Sequence, residues 1–129
     1  DDVQQARPAE REDPHAKVTK FGATGKPKDI PALWIHSGGK GKVEDNDIFE
    51  SDWHGVVINA QAEPLLQNNR IFNNRKSGVF MQDGAVPFLI ENDIYKNWIG
   101  VEVIEHSEPT LRGNHIHHQR MGGVWVLKE

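Results

Sequence analysis

The sequence predicts an all-β protein, a parallel β-helix of about four to five coils with 22–23 residues in each coil. Three observations predict this fold. One unit recurs along the chain at a nearly constant interval, each unit contains segments with the alternating apolar pattern of β-strands, and no unit has room for a helix. Self-similarity at a fixed period of this length is typical of a solenoid.

The recurring unit begins with a segment of the form Gly-Val-x-Val, and its successive first residues lie 23, 23, 22 and 23 positions apart. In the first four units an Asn follows 14 residues after the first residue. Each Asn has an Ile two places after it and a Val or Leu three places before it. The units begin at Ala32, Gly55, Gly78, Gly100 and Gly123, and the Asn residues are Asn46, Asn69, Asn92 and Asn114.

Two kinds of solenoid fit a unit this short, because a strand, a crossover helix and a second strand need about 30 residues. A leucine-rich repeat shares the Leu-x-x-Asn-x-Leu pattern, but it also requires Leu five places before the Asn, where this chain has Gly or Pro. A further β-branched segment arrives eight or nine residues after each Asn. Two or three short strands per coil without a helix therefore favour the parallel β-helix.

Residues 1–30 differ from the repeats, since they are rich in charge, Gln, Pro and Gly. We expect a poorly ordered arm there. The run 17–21 could add a strand that caps the first coil, because a solenoid end otherwise exposes unpaired strand edges. The repeats are then predicted to occupy residues 31–129. The chain starts without Met and stops inside a fifth unit, so we expect a piece of a longer protein.

Composition restricts the function classes. The net charge of −4 argues against nucleic acid, which requires a concentrated Lys/Arg face. The absence of cysteine excludes a disulfide scaffold. No apolar run approaches the roughly 18 residues of a membrane span, and no signal-peptide pattern is present. We expect a single domain of cytoplasmic location without a cofactor.

Adjacent coils of a β-helix stack about 4.8 Å apart, so residues one period apart become vertical neighbours. The Asn residues should form a ladder in which each amide donates to the next and satisfies turn backbone. We also expect each Asn to adopt the left-handed corner conformation. The residue after each Asn should form a charge column in which Arg70 pairs with both Asp47 and Asp93. A ring ladder is predicted three places after the Asn, from Phe49, Phe72, Tyr95 and His117.

The units 42–49, 63–72 and 109–117, each followed by Gly-Val-x-Val, resemble right-handed parallel β-helix repeats. They are similar to repeats in the β-helical region of F-box ubiquitin-ligase substrate receptors. The wider group includes pectate lyases, polysaccharide epimerases and periplasmic carbohydrate-binding proteins. The resemblance covers about residues 31–129 and implies a right-handed coil. It also implies substrate recognition in a ligase-like receptor or carbohydrate recognition, although the sequence contains no F-box.

The outward position of the Gly-Val-x-Val segment is apolar in four of five units, on a sheet face that should meet solvent. Such a stripe suits a protein partner or the face of a sugar ring. Equally, the arm or a neighbouring domain could cover it. The predicted binding row is Trp34, Val57, Phe80, Glu102 and Trp125, and Leu65, Phe88 and Ile90 form a second, smaller cluster.

His115, His117 and His118 suggest a zinc site, with His106 as a fourth ligand. No carboxylate or cysteine completes a recognisable ligand spacing, so the sequence favours no metal and a structural role for these histidines. Asp47 and Asp93, two coils or about 9.6 Å apart, lie at the wide limit for an inverting glycosidase. Because Arg70 would neutralise both, we expect no catalysis.

These features together predict a non-catalytic protein-binding or scaffold module of a larger protein. Two alternatives remain open. One is a carbohydrate-binding or polysaccharide-processing β-helix, and the other is an architectural subunit whose coil ends stack on other subunits or on the rest of its parent chain.

Overall fold

The computed structural model describes residues 29–127, so the predicted capping strand over 17–21 and nearly all of the predicted arm lie outside the described residues. Within that range the chain contains strands and no helix. The strands are β1 (Leu33–Ile35), β2 (Lys40–Glu44), β3 (Asp47–Phe49), β4 (Val56–Ile58), β5 (Glu63–Gln67), β6 (Arg70–Phe72), β7 (Ser77–Met81), β8 (Phe88–Ile90), β9 (Asp93–Tyr95), β10 (Ile99–Val103), β11 (Thr110–Arg112), β12 (His115–His117) and β13 (Gly122–Val126).

The strands form three parallel sheets, and each coil of the chain contributes one strand to each sheet. Sheet A has the order β1-β4-β7-β10-β13, sheet B has β2-β5-β8-β11, and sheet C has β3-β6-β9-β12. Residues one period apart are register partners, as Val56 and Val79 show. The predicted parallel β-helix is therefore confirmed, with about four turns against the predicted four to five coils. Each coil has three strands, the larger of the two numbers that the sequence left open.

The core is a stack of aliphatic side chains that project inward from all three sheets. Ile48, Ile71 and Ile94 form one fully buried column from sheet C, and Val56 and Val79 begin another from sheet A. Each fully buried side chain of this size contributes about 1.5–3 kcal/mol relative to an exposed one. The core thus runs unbroken along the coil axis.

The corner between sheets B and C differs from the prediction. The left-handed residue is the one before each ladder Asn, and the Asn itself has an ordinary backbone conformation. This arrangement follows from the side chain, because the Asn must direct its amide into the coil to reach its neighbours. The left-handed residues, Asp45, Asn68, Glu91 and Gly113, have φ angles of 60°, 56°, 52° and 67°.

The predicted ladder is present, and we call Asn46, Asn69, Asn92 and Asn114 the first ladder. Asn69 Nδ2 donates to Asn92 Oδ1 at 3.0 Å and to the carbonyl oxygen of Val43 at 2.9 Å. Asn69 Oδ1 accepts from the backbone N–H of Asn46 at 3.0 Å. Each internal amide thus satisfies buried backbone groups as well as the next amide, which matters because an unpaired buried group costs about 1–3 kcal/mol.

A second ladder, which the sequence analysis missed, lies at the corner between sheets C and A. Asn74 Nδ2 donates to Asn97 Oδ1 at 3.0 Å, and Asn97 Nδ2 donates to Gln119 Oε1 at 3.3 Å. Ser51 begins the column, since its backbone N–H donates to Asn74 Oδ1 at 3.0 Å. A polar residue five places after each first-ladder Asn was the signal: Ser51, Asn74, Asn97 and Gln119.

The outer face of sheet C carries the ring ladder and the charge column. Phe49, Phe72, Tyr95 and His117 stack with ring centroids 5.1, 5.0 and 5.2 Å apart, which confirms the ring ladder. Of the two ion pairs predicted for the charge column, only the one between Arg70 and Asp47 is present. Arg70 Nε and Nη2 both donate to Asp47 at 2.8 Å, while Asp93 is bound by His117 Nε2 at 2.8 Å. The guanidinium fork is satisfied by one carboxylate, so Asp93 pairs with the imidazole on its other side.

Candidate functional site

The predicted binding row lies on the outer face of sheet A, where its members are successive register partners. Trp34 pairs with Val57, Val57 with Phe80, Phe80 with Glu102, and Glu102 with Trp125. The structure therefore brings all five predicted residues into one line across the sheet. Five strands are separated by four intervals of about 4.8 Å, so the line is about 19 Å long.

Exposure along the row is uneven. Trp34 is 57% exposed, and Phe80, Glu102 and Trp125 are half-buried. Val57 is only 3% exposed, so the expectation that it faces solvent is wrong. Its register neighbours on both sides are aromatic, and a short branched side chain between two larger ones is shielded from water. The accessible surface consists of the rings and of Glu102.

Several contacts hold the row in place. Trp34 Nε1 donates to Asn59 Oδ1 at 3.2 Å, and Ser77 Oγ donates to Glu102 Oε1 at 2.6 Å. The indole of Trp125 lies over Gly122, where a Cβ atom would stand 2.5 Å from Trp125 Nε1. The side chains of the row are therefore ordered before any partner arrives, which reduces the entropy lost on binding.

Phe80 is supported from one side by a neutral imidazole. The His54 ring stacks on the Phe80 ring, with centroids 4.3 Å apart and planes 6° apart. His54 Nδ1 accepts a hydrogen bond from the backbone N–H of Ser77 at 3.1 Å. Burial, with a smaller contribution from the positive charge of Lys76, lowers the pKa of His54 to about 4. At neutral pH the imidazole is uncharged and packs as an aromatic side chain.

The aromatic surface continues onto one edge of sheet A, in a column that the sequence analysis missed. We call it the edge column: Trp53, Lys76, Trp98 and Met121, whose backbones are joined by N–H to carbonyl bonds of 2.8–2.9 Å. Trp98 and Met121 are exposed. All four tryptophans of the chain thus border one sheet. The members of the edge column share one repeat position, two places before the Gly of each Gly-Val-x-Val segment, and this position was the available signal.

The second apolar cluster lies on the outer face of sheet B. Leu65 and Phe88 are register partners, and Ile90 lies two residues further along the same strand as Phe88. Phe88 is exposed, whereas Leu65 and Ile90 are half-buried. This cluster presents one exposed ring, so it offers a smaller apolar surface than sheet A does.

The histidines near the end of the chain lie together on sheet C, apart from His106. His115 and His117 point to the same side of β12, as predicted, with ring centroids 3.8 Å apart. His106 occupies the corner that follows β10, on another edge of the coil, and it is not part of the cluster that includes His115 and His117. Asp93, from the preceding coil, is the group that joins the two histidines instead.

The two carboxylates considered for catalysis are each held by a basic group. Arg70 forms two bonds to Asp47, and His117 bonds Asp93. The negative charge of Asp47 raises the pKa of Arg70, chiefly through the side-chain hydrogen bond. The absence of catalysis stays a prediction.

The part of the chain that the structure describes has no helix with the length and apolar composition needed to cross a membrane. No curated protein and no solved structure matches the chain significantly. The family model described as "Right handed beta helix region" matches residues 31–129, the same range that the repeats were predicted to occupy. This match agrees with the three parallel sheets and confirms the predicted fold type. The chain therefore belongs to the right-handed β-helix family.

Proposed function

We propose that this chain is a non-catalytic binding and scaffold module that captures another protein on the outer face of sheet A. The observation that carries the proposal is the concentration of aromatic side chains there. The row and the edge column together place all four tryptophans, Phe80 and Met121 on or beside one sheet. Exposed aromatic side chains concentrated on one face mark interaction sites on many proteins.

The residue types favour a protein partner. Aromatic residues and Met are enriched in the cores of protein interfaces, and Trp is among the residues that contribute most binding energy. The surface is also rigid, because it is built on a five-stranded sheet rather than on loops. Glu102 lies between Phe80 and Trp125 in the row, and Ser77 Oγ donates to one of its carboxylate oxygens, so the other oxygen can accept from a partner. We further propose that the module acts in the cytoplasm and that it recognises substrates as part of a ligase-like receptor.

The test compares three forms of the protein. The triple variant Trp34→Ser, Phe80→Ser, Trp125→Ser removes the rings of the row. Phe88→Ser is the matched control, because it removes an exposed ring from sheet B. Binding to a protein array should be retained by the wild type and the control and lost in the triple variant, with unchanged circular dichroism. Equal binding by the triple variant would refute the proposal.

Carbohydrate recognition is the second candidate, and one observation favours it. The rings of Trp34, Phe80 and Trp125 recur on alternate coils along one line, with the carboxylate of Glu102 between the last two. Aromatic faces next to a hydrogen-bonding group can stack on sugar rings. A glycan array, together with an assay for released reducing or unsaturated sugar ends, distinguishes this candidate. Retention on defined glycans without protein binding would favour it.

A further inference from the structure

Asp93, His115 and His117 converge on the outer face of sheet C. One donor atom from each residue lies within 4.8 Å of the donor atoms of the other two. Along the chain, no carboxylate stands at a recognisable ligand spacing from these histidines. The missing carboxylate comes from the coil before, since β9 and β12 are neighbours and His115 is the register partner of Asp93.

The distances between the donor atoms fit a small tetrahedral ion. Zn²⁺ binds imidazole nitrogen and carboxylate oxygen at about 2.0–2.2 Å, so two ligands of a tetrahedral site lie about 3.3–3.5 Å apart. Asp93 Oδ1 lies 2.8 Å from His117 Nε2 and 3.7 Å from His115 Nδ1. These two distances lie on either side of that value. Shifts of about half an ångström would bring Asp93 Oδ1 to that separation from both nitrogens, and the two nitrogens lie within 4.8 Å of each other.

The exposure of His115 lets the two imidazoles reach a shared ligand. The rings of His115 and His117 stack 3.8 Å apart with planes 19° from parallel. Because an imidazole ligates in the plane of its ring, one ring must turn before both nitrogens meet one ion, and the side chain of His115, 73% exposed, has the room to do so. His118 Nδ1 lies 2.7 Å from His117 Nδ1. With an ion bound, His117 Nδ1–H donates to His118 and leaves Nε2 free to ligate. A metal-bound histidine commonly has such a partner on its other nitrogen.

The neighbouring cation, Arg70, does not occupy the carboxylate of Asp93, so this carboxylate remains available to bind a metal ion. Arg70 is the register partner of Asp93 on the opposite side from His115, and a guanidinium there could have neutralised the carboxylate. Instead, two nitrogens of Arg70 bond Asp47. Asp93 is therefore directed to the imidazoles alone among the groups that the structure describes around it.

We propose that Asp93, His115 and His117 form a surface site for a divalent transition-metal ion of the Zn²⁺ class. The fourth position is left for water or for a group from a partner. Two nitrogen donors and one oxygen donor suit Zn²⁺, Co²⁺, Ni²⁺ or Cu²⁺, whereas Ca²⁺ and Mg²⁺ prefer oxygen ligands. The site is on a different sheet from the aromatic row, and it does not depend on the proposed function.

Isothermal titration with ZnCl₂ tests the site on the whole chain. We expect one ion per chain in the wild type, and binding at least tenfold weaker in Asp93→Asn and in His115→Ala. The side chain of His115 is 73% exposed, so its removal leaves the core intact. His118→Ala should weaken binding by about 10–100-fold, the usual effect of losing such a partner. His106→Ala, which removes an exposed histidine elsewhere, is the control and should bind like the wild type.

A spectroscopic measurement confirms the ligand set. CoCl₂ should give the intense visible absorption of a tetrahedral site in the wild type and in His106→Ala, but not in Asp93→Asn. The proposal is overturned if the wild type shows no saturable Zn²⁺ binding, or if Asp93→Asn and His115→Ala bind as the wild type does. It is also overturned if His106→Ala loses as much affinity as His115→Ala, because the ion would then bind surface histidines without a defined site.

Discussion

The side-chain amide of Asn97 lies so close to Gly78 that a Cβ atom on Gly78 would stand 2.8 Å from Asn97 Nδ2. That Cβ atom would also stand 2.9 Å from the carbonyl oxygen of Gly100. Gly55 stands in the same relation to Asn74, at 2.7 Å. The glycine that begins the Gly-Val-x-Val segment is therefore required by the second-ladder Asn that follows 19 residues later, which needs the space that a side chain would fill.

Gly78→Ala should destabilise the protein by about 1–3 kcal/mol, the usual cost of inserting a methyl group into a well-packed site. Gly123→Ala is the matched control at the same repeat position. There, the nearest atom to a Cβ is Ile116 Cγ2 at 3.6 Å, an ordinary contact. Urea unfolding should show a change within about 0.5 kcal/mol for Gly123→Ala. Equal effects of the two substitutions would contradict the packing argument.

Asn97→Ala should cost about 2–4 kcal/mol, because the side chain is fully buried and its loss leaves the backbone N–H of Asn74 and the carbonyl of Ile71 unpaired. It also removes the amide that would clash with the methyl group introduced by Gly78→Ala. The double variant with Gly78→Ala should therefore be more stable than the sum of the single effects predicts, by at least about 0.5 kcal/mol in a double-mutant cycle. Strict additivity would show that the two residues do not compete for space.

The first ladder should be more sensitive in its middle than at its start. Asn69 is buried, and Asn69→Ala removes the acceptor of the Asn46 backbone N–H and the donor to the Val43 carbonyl, two bonds that are partly buried. We expect a loss of about 2–4 kcal/mol in thermal or urea unfolding. Asn46 is half-buried and its amide donates to the Glu44 carbonyl, a group that water can reach, so Asn46→Ala should cost less than about 1 kcal/mol. A reversed order would refute the ladder as a source of stability.

The sequence predicted those features that the repeat period alone determines. The vertical register, the first ladder and the ring ladder follow once residues 22–23 positions apart are placed above one another. The second ladder was missed because Ser51 and Gln119 replace Asn at its ends, which hides the column in the sequence. Gln119 Oε1 accepts from Asn97 Nδ2 as an Asn amide would, whereas Ser51 contributes only its backbone N–H. Residues of different type can therefore fill the same hydrogen-bonding position, and a comparison of residue identities does not detect this.

The details of the candidate sites needed side-chain geometry. Arg70 has a carboxylate on each side, and only the orientation of its guanidinium decides that Asp47 is the partner. That choice in turn leaves Asp93 to the histidines. The burial of Val57 depends likewise on the size and direction of the neighbouring rings. Repeat spacing places such residues in line, but it does not state which of two neighbours a side chain contacts.

The last prediction concerns pH and His54, whose pKa is about 4 in the folded chain and about 6.5 when unfolded. Because the folded value is lower, the unfolded chain binds the proton more tightly below pH 6.5, and stability falls as the pH drops from about 6.5 towards 4. His54→Asn keeps an acceptor near the Ser77 N–H but cannot titrate in this range. From pH 7.5 to pH 5 the wild type should lose about 2 kcal/mol more unfolding free energy than this variant. Parallel losses in urea unfolding at the two pH values would show that His54 is not protonated on unfolding, and an NMR titration of its ring would locate the folded pKa directly.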